Sequence, residues 1–386
     1  MLRQPLVCQT KSIKPQTDAS DERLLLLDIV NENHYAYHME TRDRPNNAIR
    51  LLVELHRLGA TQEQLSLAYQ KSLLQAERIR FSDYHRLNER NWEEFLGISS
   101  YYGDYVMFFD QQLSLLGLEK TLTNYFYSIP PSMGAQLQPL VQLAFGIEHD
   151  LPQIITQALA YYATSYLDVS NILDYCDTHT GVDTPYDTLN TILFDLIRVD
   201  QRFDGKFEYN AFRPAIKLLL KSKSDLIKTY MKTWSIYTPE SRLDALVFSA
   251  TSLYKASSRA SNGHVDLDWF LAGGQLLEAT LAIKQLIRPD HLEDWLNLQC
   301  LNTLCTYVVQ GRPFNHQHHL LMPDIESCRM AILESSDPQL MLALASLLKV
   351  MVHYPQWDSI CLENASLLTL FSKDGTWIKQ GLGWTR

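Results

Sequence analysis

The sequence predicts an all-α protein, a single multi-helix domain of about a dozen helices. Three observations lead there. Helix start and stop signals recur along most of the chain. The apolar residues between them are spaced by three and four, the repeat of a helix buried on one side. Alternating, strand-like runs are rare.

The elements follow in order. Residues 1–19 read as a polar tail, which leaves 20–386 as the helical domain. Pro45 sits where a first helical turn tolerates it, and Gly59 closes that helix after Leu58. Thr61 with Gln64 forms a capping-box pattern before Leu65, Leu67 and Tyr69, and Asn91 with Glu94 repeats the device. Thr184-Pro185-Tyr186-Asp187 and Thr238-Pro239-Glu240 are cap-then-proline starts with an early carboxylate. Leu189, Ile192, Leu193, Leu196 and Ile197 follow the helical repeat. Asp290 with Glu293 starts a long helix that Gly311 ends. Asp337-Pro338 starts another towards Tyr354-Pro355, carrying Leu342, Leu344, Leu347, Leu348 and Met351. The best strand pattern is Thr369 to Phe371 and Thr376 to Ile378 around Ser372-Lys373-Asp374-Gly375, which suggests one small C-terminal hairpin. Asp174 to Asp183 and Ser257 to Gly263 read as loops. Neither has linker character, so one domain is expected, with a split near residues 174–183 as the alternative.

Composition removes several function classes. The 386 residues are 46% hydrophobic and 20% charged, ordinary globular usage. Net charge is −10, from 34 basic and 44 acidic side chains, which argues against a nucleic-acid binder. Lys217, Lys221, Lys228 and Lys232 form a basic stripe that a solvated helix face explains. No apolar run approaches the roughly 18 residues of a membrane span, and no secretory signal is evident. None of the six cysteines makes a CxxC pair, and Cys300 and Cys305 read as reduced and buried. The expectation is a cytoplasmic protein. There is no Walker loop, GxGxxG, GxSxG or HExxH motif, so no dinucleotide cofactor is expected and no cofactor is assigned.

The chemistry-bearing clusters each have a plainer reading. His34 and His38 are four apart and would share a helix face as half of a metal site, or simply mark a polar helix end. His316, His318 and His319 form a short metal-capable tract that an exposed loop explains equally. Tyr101, Tyr105, Phe108 and Phe109 form an aromatic stripe suited to a ligand pocket or, more commonly, to a core. His56 lies on an apolar helix, where a satisfied imidazole is the ordinary case and a general base the functional one.

Several blocks together resemble a known family. They are Asn46-Asn47-Ala48 leading into Leu55-His56-Arg57-Leu58-Gly59-Ala60, the stretch Trp92 to Phe109, Leu140 to Glu148, and Tyr307-Val308-Val309-Gln310-Gly311-Arg312-Pro313. These are similar to blocks of the questin-oxidase-like family, whose members oxidise aromatic polyketides. The resemblance implies a helical fold with an internal pocket. In some members it implies an iron held by histidines on several helices, a ligand suited to iron. At the matching positions this chain has Asn47, Gln138, Gln142 and Gln339, and no histidine between Val265 and Asp290.

Amides are poor ligands for such a metal, yet each offers a donor and an acceptor. The expectation is therefore an oxidoreductase-family protein that binds a small apolar or aromatic, oxygen-bearing molecule without the family's metal. Asn46, Asn47, Gln138, Gln142, Gly273, Gln339 and His56 are the candidate substrate-binding residues, and no metal ligand is assigned. A non-catalytic scaffold on the same fold is the alternative, and a metal site moved to His34/His38 or to the His316 tract is a third. No partner protein is named by the sequence.

Overall fold

Every residue from Trp295 to Val309 is buried in the helix Leu292–Val309, which therefore runs through the middle of the molecule. Its polar residues are matched rather than stranded. Gln299 donates from Nε2 to the Leu276 carbonyl at 2.8 Å and to the Thr280 hydroxyl at 3.0 Å. Asn297 accepts from Arg242 at 2.6 Å. The helices Phe212–Ser222, Ser224–Ser235, Pro239–Ala256 and Gln275–Leu286 pack around it. The computed structural model describes residues 19–41, 44–74, 76–82, 87–176, 180–205, 211–261, 264–314, 323–335 and 337–384. The tail assigned to 1–19, apart from Ala19, and the His316–His319 tract lie outside the described residues.

Two further layers complete an all-α architecture. The helices Gln138–Glu148 and Pro152–Thr164 pack on each other, and Tyr102–Leu116 covers the second. Gly146 permits their close approach, because a Cβ there would stand 3.0 Å from Ile155. On the other side, Pro338–His353 packs against Asp358–Asp374 and against Ala48–Arg57. Among the described residues no helix is long and apolar enough to cross a membrane.

Several starts follow the sequence chemistry. Thr61 and Gln64 make the reciprocal capping box, at 3.3 and 2.8 Å. The Asp337 carboxylate accepts from the amides of Gln339 at 2.8 Å and Leu340 at 3.1 Å. Gly59 follows its helix at φ +77, the left-handed position that glycine takes without strain.

Other expectations are corrected. Pro45 lies in a two-residue strand, Arg44–Pro45, paired with Glu40–Thr41, and the helix begins at Ala48. The C-terminal hairpin is absent. Thr369 to Phe371 continue the helix Asp358–Asp374, and Trp377–Ile378 pairs in parallel with His264–Asp268. Leu367, Leu368 and Phe371 share a buried helix face, and three alternating residues are too few to outweigh that. The hairpin instead joins Ser258–Ser261 to His264–Asp268, where a loop was expected. The intervening Asn262-Gly263 is a strong hairpin signal that the polar flank Ser257-Ser258-Arg259 conceals. Leu196 is exposed although its pattern partners are buried. Thr191–Ile197 is a π-helix, with the Arg198 amide reaching back to the Leu193 carbonyl, so the wider turn rotates Leu196 outward.

Candidate ligand site

The amides singled out from the sequence form one chain of contacts. Gln142 donates to the Asn47 side-chain oxygen at 2.6 Å. One turn earlier on the same helix face, Gln138 donates from Nε2 to the Gln275 carbonyl at 3.3 Å. Two residues before Gln275, the Gly273 carbonyl accepts from Gln339 Nε2. Asn46 flanks the chain: its Oδ1 accepts from the Ala48 amide at 3.2 Å, and its Nδ2 donates to Asn33 at 3.2 Å. His56 is exposed on its helix and lines neither cavity described below. Beside the chain, Arg50 and Glu278 form a buried two-pronged ion pair at 2.6 and 3.1 Å, and the Ser346 hydroxyl donates to Glu278 at 3.1 Å.

These residues do not fit a transition metal. Neutral amides are poor ligands for such a metal, Asn47 Oδ1 is already taken by Gln142, and the ion pair Arg50–Glu278 holds a fixed cation at the same helix junction. His34 and His38 do not share a helix face. His34 is buried in the helix Ala19–Ala36 and meets Asp110 at 2.9 Å, whereas His38 lies beyond the helix end, its ring 3.9 Å from that of Tyr102. Burial holds the His38 imidazole below its ordinary value, against hydrogen bonds to the backbone of Ser99 and Glu40. Among the described residues no three His, Cys, Asp or Glu side chains gather in a metal-holding group.

A cavity of about 200 Å³ opens next to the amide chain. Its walls come from the segment Met133–Gln136, the end of the helix Pro152–Thr164, the start of Phe212–Ser222, and Asn302 on the central helix. Apolar faces of Met133, Leu167, Phe212 and Ile216 alternate with the polar groups of Gln136, Asn302 and Tyr166. Gln136 donates to Thr306 at 3.1 Å, and Asn302 donates to Gln299 at 3.1 Å, so both amides are held in place. Burial pushes the Tyr166 phenol up to about 12, so it remains a donor, directed to the Pro130 carbonyl at 3.1 Å. Arg213 is ion-paired with Glu40, and Lys217 stands exposed one turn further on. A second cavity of about 20 Å³ shares Ala135, Gln136, Phe212 and Arg213 with the first and adds Gln138, Gln275 and Phe270.

The shared wall is strained. Ala135, Gln136 and Leu137 stand at φ 51, 53 and 59, a left-handed run without glycine. Each such residue costs on the order of 1–2 kcal/mol, which the packing around it must offset. Gly134 makes the turn possible, because a Cβ there would lie 1.9 Å from the Ser165 carbonyl oxygen.

Sequence reasoning missed Gln136, Asn302 and Arg213, and read Lys217 only as part of a solvated stripe. Ala, Gln and Leu carry no left-handed signature, so nothing in the sequence marks residues 135–137. Asn302 stands among apolar residues of a helix whose start and stop, but not facing, were legible. The aromatic stripe is core: Tyr105, Phe108 and Phe109 are buried against Trp92 and Tyr125, and none lines either cavity.

Comparison with known proteins adds a family. Residues 45–363 match the family described as questin oxidase-like. A Baeyer–Villiger oxidase of Pestalotiopsis microspora is 24% identical over 150 residues, 35% of this chain and 33% of that protein. A Baeyer–Villiger monooxygenase of Cryptosporiopsis sp. is 27% identical over 172 residues, 41% of this chain and 39% of that protein. The matches thus span between a third and two fifths of the length of these curated relatives.

Proposed function

Because the chain belongs to the questin oxidase-like family, we propose that it is an oxidoreductase-type protein that binds an apolar or aromatic, oxygen-bearing small molecule without the family's metal. The observation that carries this reading is the cavity of about 200 Å³, lined by apolar and polar groups in similar measure and furnished with the held amides of Gln136 and Asn302. Binding pockets for small molecules combine those two features. The names of the two relatives, an oxidase and a monooxygenase of the Baeyer–Villiger type, favour oxidation as the reaction class and a ketone-bearing compound as the substrate class.

This chain's own residues supply binding and orientation. Gln136 and Asn302 offer amide groups to ligand oxygens, Tyr166 and Phe212 offer ring faces, and Arg213, ion-paired with Glu40, stands on one edge. The metal-free part of the reading rests on the amides that stand from Asn47 to Gln339, poor ligands for a transition metal, and on the fixed guanidinium of Arg50 beside them.

The test is a fluorescence titration of 1-naphthol against the wild type and Ile216→Trp, with metal content measured by mass spectrometry on the same preparation. Ile216 is buried in the cavity wall, so the larger side chain should weaken binding by about tenfold or more. Equal binding by both proteins would place the ligand elsewhere. Iron near one equivalent would overturn the metal-free reading. No saturable binding would favour a scaffold built on the same fold.

A further inference from the structure

We propose that Lys217 is an anion-recognising residue where the larger cavity meets solvent, its ammonium taking the carboxylate of an otherwise apolar ligand. The inference rests on the ligand-binding reading above and narrows its substrate class to carboxylic acids.

Among the described residues the larger cavity is lined by two cationic side chains, Arg213 and Lys217, and by no carboxylate. Arg213 is ion-paired with Glu40. Among the described residues no acidic side chain pairs with Lys217. One positive charge is therefore left over on the wall. That excess runs against a chain whose net charge is −10. A concave wall carrying one sign of charge concentrates ligands of the other sign.

Lys217 is exposed, yet it belongs to the cavity wall. It stands on the helix Phe212–Ser222, one turn beyond Arg213 and next to Ile216, which is buried in that wall. A lysine in such a place can keep its ammonium in water and lay its four-carbon stem along apolar surface. The apolar faces of Met133, Leu167, Phe212 and Ile216 suit the body of the ligand, and the amides of Gln136 and Asn302 suit its further oxygens. Phe212 and Arg213, the first residues of the same helix, also line the cavity, and a helix start favours negative charge. The single surplus charge matches a monoanion such as a carboxylate; a phosphate monoester, with a charge of about −2, would exceed it. Lys221, one turn further along the stripe, is exposed and lines neither cavity. It therefore separates a local subsite from the general charge of the helix face.

The experiment is titration calorimetry of 1-naphthoate and its uncharged isostere 1-naphthamide against the wild type, Lys217→Met, Lys217→Arg and Lys221→Met. At neutral pH the carboxylate is ionised. The wild type should bind the naphthoate about two- to fivefold more tightly than the naphthamide, the range of an ion pair open to water. Lys217→Met should bring the naphthoate down to the affinity of the naphthamide. Lys217→Arg retains the charge and should keep the preference, as should Lys221→Met. Equal binding of the two probes by the wild type would overturn the proposal while leaving the cavity reading intact. A preference that survives Lys217→Met would also overturn it, assigning the anion to another group. So would a preference that Lys221→Met abolishes as fully, which would trace it to the field of the whole stripe. Failure of the wild type to bind either probe would instead remove the ligand site itself, and the proposal with it.

Discussion

Replacing Arg50 with methionine should destabilise the fold severely, while replacing both Arg50 and Glu278 with apolar residues should not. Both side chains are only 5% exposed, and the guanidinium grips the carboxylate through two hydrogen bonds, at 2.6 and 3.1 Å. Without Arg50, Glu278 keeps one donor, the Ser346 hydroxyl at 3.1 Å. A buried carboxylate in that state is strongly unfavourable, and breaking such a pair on one side costs about 3–5 kcal/mol. At the usual unfolding entropy per residue, a chain of this length should then melt roughly 4–6 °C lower. The damage should be local to the site as well. Arg50, Glu278 and Ser346 lie on Ala48–Arg57, Gln275–Leu286 and Pro338–His353, the helices that carry or adjoin Asn47, Gln275 and Gln339. Scanning calorimetry of Arg50→Met, Glu278→Leu and the double variant completes a thermodynamic cycle. The double variant should lie closer to the wild type than either single one, since an apolar pair of similar volume removes the stranded charge. Two single effects below about 1 kcal/mol that simply add in the double variant would refute the reasoning, because they would mean that water reaches the pair.

Three further outcomes are expected. Gly134→Ala should lower the urea midpoint, by about 1–3 kcal/mol of overpacking, since the new Cβ would meet the Ser165 carbonyl oxygen at 1.9 Å; an unchanged midpoint would show that this wall is free to move. Arg312→Lys should loosen residues 191–204 in hydrogen exchange, because Arg312 donates from one nitrogen to the carbonyls of Ile197, Arg198 and Asp200 and from the other to Asp204, a fork that lysine lacks; protection equal to the wild type would sink this. Burial pushes the Asp268 carboxyl up to about 7, against three backbone N–H groups that hold it down. The folded state therefore keeps a proton that the unfolded chain releases near pH 4, so this contribution to stability is present in acid and is lost as pH rises towards 7. Asp268→Asn should flatten that part of the melting-temperature profile, and parallel profiles for the two proteins would contradict the assignment.

The sequence by itself determined the helical class and many element edges, because these depend on neighbours along the chain. A capping box at Thr61 and Gln64, a carboxylate at Asp337 and a glycine at Gly59 act within a single turn. The family blocks were legible for the same reason, as was the set of amides from Asn47 to Gln339. Tertiary structure alone decided what those amides do. Asn47 and Gln142 are 95 positions apart, and Gly273 and Gln339 are 66 apart, so their pairing depends on which helices meet. It also decided the hairpin, since Trp377 pairs with Leu267 rather than with its sequence neighbours. The larger cavity was beyond reach of the sequence altogether. Its wall is a left-handed run of Ala, Gln and Leu, residues that do not choose that conformation locally, held by packing from helices distant in the chain.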